Sequence, residues 1–392
     1  MKSIMNKKTA RFISVFISIL IVIVISKSIV FAYPPDNAAV LYYRSAYTFT
    51  KDSEKSILLR KYIKGQMEIN QEIIEYVLSN EYAIKQFIDA GKGKYCDWGL
   101  DYSQGMNMQA PPLAAFRNLT EIVLADAKMA NEAGEYDRAI DLCMSTYKAA
   151  SYIADGGLLV SRLVGIAMDN YTNQVIVAIL PNIADNSEKL TQLKNQINII
   201  SQEFPSLENT IKSDLEICIG DIYKESVNDL IETGGAQISD DVKQILQNAD
   251  EQFFESNKEY MFKLLDDCIA ATDLIYPQAY EKLNELIQKP EIDSKKNSDA
   301  VLATFLMPAL SRVFSLDVRH KTHFNAILTA LNLYISRTET GKLPNELPEG
   351  MPKDMFSGKD FLYEKSSDGF ILKCQGMDLP KEEIYEFEFK VK

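Results

Sequence analysis

The chain has 392 residues, 46% hydrophobic and 25% charged, proportions that support a sizeable buried core and exclude intrinsic disorder. Its net charge is −13, and because the first 32 residues hold five basic and no acidic residues, the remainder carries −18. A body so acidic repels nucleic acid and anionic lipid, which excludes broad polyanion binding.

Lys7, Lys8 and Arg11 precede an apolar run from Phe12 to Ile25, and Val30-Phe31-Ala32 supplies small residues for cleavage. This is the pattern of an export signal, too short for a membrane span of about 20 residues. Residues 1–32 therefore read as a signal peptide cut after Ala32, or as an N-terminal anchor that is the only membrane contact if uncut. Either way the protein is extracytoplasmic, secreted or held at the cell envelope.

Residues 36–318 read as an all-α body of helical hairpins, because apolar residues recur at three and four rather than alternating. Asn37 to Phe49, Ser53 to Gly65 and Asn70 to Ala90 are the first helices. An irregular stretch follows, Tyr95-Cys96-Asp97-Trp98-Gly99-Leu100-Asp101-Tyr102-Ser103, reaching Pro111-Pro112 and holding the only Trp. Loops concentrate function, and Asp97 with Asp101 could serve as a paired-carboxylate acid and nucleophile, with Trp98 and Tyr102 as a platform for a sugar. The competing expectation is that Trp98 plugs the core while the acids cap helices.

A helix from Pro112 to Ala133 turns at Gly134 into a second, Arg138 to Ala154. Ala127…Gly134-x-Tyr136-x-x-Ala139 resembles one tetratricopeptide hairpin, with no second copy 34 residues on. Leu158 to Leu180 is strongly apolar, yet Arg162 and Asp169 inside it argue for a central core helix rather than a membrane span; Pro181 should close it. Asp185-Asn186-Ser187-Glu188 offers a capping-box-like start, Ser206 caps a stripe from Leu207 to Ile222, and Ser239 caps one long helix carrying Val242 to Cys268. Pro290 should end the following helix, and Pro308 should kink the segment from Asp299 to Phe314.

Residues 319–392 change character. His320 to Arg337 reads as a helix stopped by Gly341. Then come short β-type runs at Phe361–Glu364, Phe370–Cys374 and Tyr385–Val391, the last alternating cleanly. The expected fold class is mainly α: a helical-hairpin body, then a small α+β module whose three-stranded antiparallel sheet covers the helix.

Gly341-Lys342-Leu343-Pro344, Pro352-Lys353-Asp354-Met355-Phe356-Ser357-Gly358, Leu362-Tyr363 and Asp368-Gly369-Phe370 resemble the periplasmic end of type II secretion major pseudopilins. That family has a helix, a G-x-x-P segment, a D-P-F/W-G-x-P-x-x-Y segment and a hairpin. The chain lacks the family's prepilin leader, and Asp378 is the one acid before Glu382 where some members bind calcium. The resemblance thus implies the fold of the module, and neither assembly nor calcium. The body, with Trp98-Gly99-Leu100-Asp101-Tyr102-Ser103, resembles exported bacterial proteins that join a helical domain to such a module, which implies architecture and no activity.

No nucleophile elbow, phosphate loop or paired-His zinc helix is present. His320 and His323 are the only histidines; flanking Arg319 and Lys321 oppose a divalent ion, so they read as an exposed or half-packed helix start. The five cysteines show no metal or disulfide spacing and read as buried small side chains. Neither cofactor nor metal is expected. The expected role is a non-enzymatic interaction or scaffold protein with protein partners in the cell envelope. The alternatives are a carbohydrate-active envelope hydrolase using Asp97 and Asp101, and a passive small-ligand-binding protein.

Overall fold

A computed structural model describes residues 35–220, 227, 239–307 and 310–391. The export-type N-terminus and the kink expected at Pro308 lie outside the described residues. Among those described, the chain is mainly helical with one three-stranded antiparallel sheet near the C-terminus, the class expected from sequence.

Four short helices come first: α1 (Ala38–Thr48), α2 (Ser53–Ile63), α3 (Gln71–Ser79) and α4 (Glu81–Ala90). Asn37 caps α1, accepting from Ala39 N, and Asp52 caps α2, accepting from Glu54 and Lys55 N, so donors that a helix start leaves free are satisfied. The single helix expected over residues 70–90 is broken at Asn80. This buried side chain accepts from Thr50 N and donates to Tyr76 O, and such local bonding competes with the helix ladder.

α5 (Leu113–Glu132) and α6 (Tyr136–Ala154) form the expected hairpin, turned at Gly134 with φ +82°, where a Cβ is disfavoured. α7 (Leu159–Ile183) follows and packs on α5 and α6. Pro181 lies within its last turn rather than ending it, since one missing N–H is tolerable at a frayed end. Gly165 sets the approach of α6 and α7: a Cβ there would stand 2.7 Å from Ala150 O and 3.0 Å from Ala154 Cβ. By length and composition α7 is the one helix among the described residues able to cross a membrane, and 56% of its most apolar stretch is buried inside the protein, the central core position expected.

α8 (Ser187–Glu203) and α9 (Leu207–Ile219) are capped by Asn186 and Ser206. The long helix expected from Val242 is two, α10 (Asp240–Gln247) and α11 (Glu251–Ala271), because Asp250 accepts from Phe253 N and starts a new helix. α12 (Tyr276–Asp293) carries Pro290 in its final turn instead of stopping there. The short α13 (Ala303–Leu306) precedes α14 (Leu310–Thr340).

α14 begins before His320, so residues 318 and 319, where sequence divides body from module, fall inside one helix. Its buried stripe Val313, Phe314, Val318, Phe324, Ile327 and Leu331 is continuous. Asp317, buried within this helix, is matched by Arg162 and Lys321. The sheet, β1 (Leu362–Lys365), β2 (Gly369–Lys373) and β3 (Glu386–Lys390), runs in the order β1-β2-β3. It lies against α14: Tyr334 Oη donates to Lys390 O at 2.5 Å, and the Tyr334 and Phe370 rings are 5.5 Å apart.

A candidate binding cleft between body and module

The irregular loop is tied down at several points. Trp98 is 6% exposed. Its ring lies 5.2 Å from Phe116 and 5.7 Å from Tyr42, and its Nε1 donates to Tyr152 O at 2.9 Å. Asp97 accepts from Gly99 N, while its backbone is held on both sides by the Asn37 amide. Asp101 accepts from Ser103 N, Ser103 Oγ and Gln104 Nε2 and starts a 3-10 turn at Tyr102. The bonds from Ser103 and Gln104 hold its carboxyl below the usual range, opposite to what a general acid requires. Tyr102 is exposed. Trp98 is thus in the core, with Asp97 and Asp101 at the surface in turn bonds.

All five cysteines are free thiols. Burial pushes Cys96 and Cys268 up to about 12, so neither is poised as a thiolate.

A second place in the molecule has not satisfied its polar groups. Asn170, Asn173, Gln174, Val177, Ala178 and Pro181 of α7 line one wall of a cleft of about 750 Å3. Their steps of three and four put them on one helical face. The remaining wall comes from His323 and Ile327 of α14 and Phe387, Glu388 and Lys390 of β3, with Lys64 and Lys128 at its margin. The cleft therefore lies where the helical body meets the module.

Buried charges hold its walls together. Arg162, fully buried in α7, pairs with Asp317 of α14 and donates to Pro205 O at 2.5 Å. Burial pushes the Asp317 carboxyl up, but Lys321 and Arg162 together hold it below its usual range. Two turns along α7 and one along α14, Asp169 Oδ2 and His320 Nε2 lie 2.7 Å apart. Burial raises the Asp169 carboxyl to about 6, against the lowering pull of His320. His320 is thus a buried mid-helix residue packed on Phe204 at 4.6 Å, not the exposed or half-packed helix start that its flanking charges suggest.

Above these pairs, three lining residues each carry a buried polar atom without a hydrogen-bond partner: Asn170 Oδ1, Asn173 Nδ2 and His323 Nε2. Tyr147 Oη donates to Asn173 Oδ1 at 2.5 Å, which fixes that amide and leaves its nitrogen unused. Asn173 is 4% exposed. His323 packs edge-on against both the Tyr385 and Phe387 rings, at 5.4 and 5.1 Å. Burial, then His320, Arg319 and Lys381, lowers its pKa to about 4, so the imidazole is neutral at neutral pH. Native proteins pair about nine in ten of such atoms, so three around one opening mark it out.

A neighbouring cleft of about 680 Å3 is lined by Lys51, Arg60, Lys64 and Arg117 with Val160, Val164 and Tyr171 of α7. Lys64 borders both clefts. Arg60 is paired with the buried Glu121 at 3.0 Å, and no salt bridge engages Lys51, Lys64 or Arg117 among the described residues.

Sequence reasoning singled out His320 and His323 without their surroundings, and passed over Asn170 and Asn173. The available signal was an Asn-x-x-Asn-Gln set inside an otherwise apolar helix. Comparison with known protein families, with curated proteins and with solved structures finds no match.

Proposed function

We propose that the protein is an exported, non-enzymatic binding protein of the cell envelope, and that its ligand occupies the cleft between helical body and C-terminal module. The observation that carries this is the set of unpartnered buried atoms on Asn170, Asn173 and His323 around one opening. Each such atom costs about 1–3 kcal/mol, and a ligand that hydrogen-bonds them recovers that cost. The cleft volume of about 750 Å3 is that of small-molecule sites, which favour joints between units. Export is supported by the basic, apolar and small residues that begin the sequence, and an interaction role by the likeness of the module to a pseudopilin end. Hydrolysis through Asp97 and Asp101 has less support, since their carboxylates already serve Gly99, Ser103 and Gln104.

Titration with the amphiphilic fluorophore 1-anilinonaphthalene-8-sulfonate tests the cleft directly. The native protein should bind it saturably, and Ala178→Trp, which fills the exposed side of the α7 wall, should weaken binding by about tenfold or more with unchanged circular dichroism. Equal binding by the two proteins, or none by either, would overturn the proposal.

A further inference from the structure

We infer that the occupant of this cleft is an extended acidic peptide segment, its backbone read by the free edge of β3 on one side and by the amides of α7 on the other. This rests on the binding role proposed above and adds the class of ligand.

The first support is the hydrogen-bond parity of β3. Cys374 N donates to Tyr385 O and Val391 N to Asp368 O, and with the register Phe387↔Leu372 and Phe389↔Phe370 this turns the peptide groups of the odd-numbered residues toward β2. Those of Glu386, Glu388 and Lys390 consequently point to the outer edge, because alternate residues of a strand bond to opposite sides. Lys390 O is occupied by Tyr334 Oη, whereas Glu388, which lines the cleft, keeps an N–H and a C=O for an added strand.

The second is on the α7 wall. Asn170 Oδ1 is an unused acceptor and Asn173 Nδ2 an unused donor, on residues separated by about 4.5 Å of helix rise. An extended residue offers its own N–H and C=O to one side and the next residue offers the same pair to the other. One residue of the peptide can thus pair with Glu388 and its neighbour with the two asparagines. Val177, Ile327 and Phe387 give an apolar side chain its seat.

Charge fixes the rest of the class. Val160, Val164, Tyr171, Gln174 and Ala178 fall on one face of α7, so the two clefts open along the same side of that helix, and Lys64 borders both. Lys51, Arg60, Lys64 and Arg117 outnumber the one buried carboxylate that faces them, Glu121, and so make a local cationic field on a strongly acidic body. A short peptide touches only those clefts, while an extended polyanion or lipid surface would also meet the repulsive remainder.

The test uses fluorescence anisotropy of a short labelled peptide of alternating Leu and Asp, free and as the C-terminal tail of a carrier protein. Both forms should bind, and added salt should weaken them. A Leu–Lys version and a version N-methylated at alternate residues should each bind about tenfold or more weaker. Lys51→Glu with Arg117→Glu should weaken the acidic peptide similarly while leaving fluorophore binding intact, since these two residues line only the second cleft. If the N-methylated or the Leu–Lys peptide binds as well as the parent, or if anionic vesicles bind and the peptide does not, the peptide assignment falls. Peptide failure with the fluorophore still bound by the native protein and not by Ala178→Trp removes the peptide class and leaves the cleft; failure of both removes the binding role as well.

Discussion

His323 is a neutral ring packed against Phe387 and Tyr385 with its Nε2 unused, and acid should act on it. Its pKa falls from 6.5 when unfolded to about 4 in the fold. Between those values the unfolded chain holds the extra proton, so stability is lost as pH drops from 6.5 toward 4 and is unaffected above that window; the loss reaches about 3 kcal/mol at 1.36 kcal/mol per pH unit. Asp169 works the other way: its carboxyl, held up at about 6 instead of 3.8, takes a proton in the fold first, so its contribution grows as pH falls through that range and offsets part of the loss. His323→Phe keeps the ring packing and removes the proton site. Its urea midpoint should decline less than that of the native protein as the medium is acidified; parallel declines would clear His323 of the effect.

At the level of elements, the α6–α7 contact depends on a missing side chain. Gly165→Ala would press a methyl against Ala150 O and Ala154 Cβ, and overpacking of this kind costs about 1–3 kcal/mol. Denaturant unfolding should show that cost, and a change below about 0.5 kcal/mol, the range of an ordinary surface substitution, would mean that the two helices can separate freely. The hairpin around Gly134, the caps at Ser206 and Ser239 and the three strands were all legible in sequence, since each is a local signal. The breaks at Asn80 and Asp250 were not, because a polar residue within an apolar period reads as the solvent face of one helix. Asn80 acts as a breaker through its bond to Thr50, 30 residues away. The candidate site follows the same logic. Asp97, Trp98, Asp101 and Tyr102 drew attention by lying together in sequence, whereas the cleft is assembled from residues between Ile63 and Lys390. An unpartnered atom such as Asn173 Nδ2 is recognisable only when every possible partner has been placed.

For the molecule as a whole, α14 is common property. Its first half carries Asp317 and His320 against α7, and its second half carries Tyr334 against the sheet. The join between the units is therefore a helix with its own core rather than a linker, and body and module should unfold together. Trp98, buried in the body, and Cys374, a buried free thiol of the module, report on the two ends separately. Indole fluorescence and labelling of Cys374, resolved from the four body thiols by peptide mass, should give one midpoint across a urea series, as two-state unfolding requires; separated midpoints would show that the module melts alone.

The ion pairs of α7 also bear on a moment before the fold exists. Under the export proposed above, the chain would thread a membrane channel a segment at a time, and α7, whose most apolar stretch has a mean hydropathy of 1.3, is a segment that a lateral gate could release into lipid. Its eventual partners Asp317 and His320 lie more than 150 residues downstream, unavailable while α7 is in transit. Asp169, near the middle of the helix, then stands as a bare penalty of about 2.5–3.5 kcal/mol against lipid insertion, with Arg162 nearer the end adding to it. On that proposal, the two charges that fasten α7 to α14 would first act as a passport, keeping this apolar helix in the aqueous path.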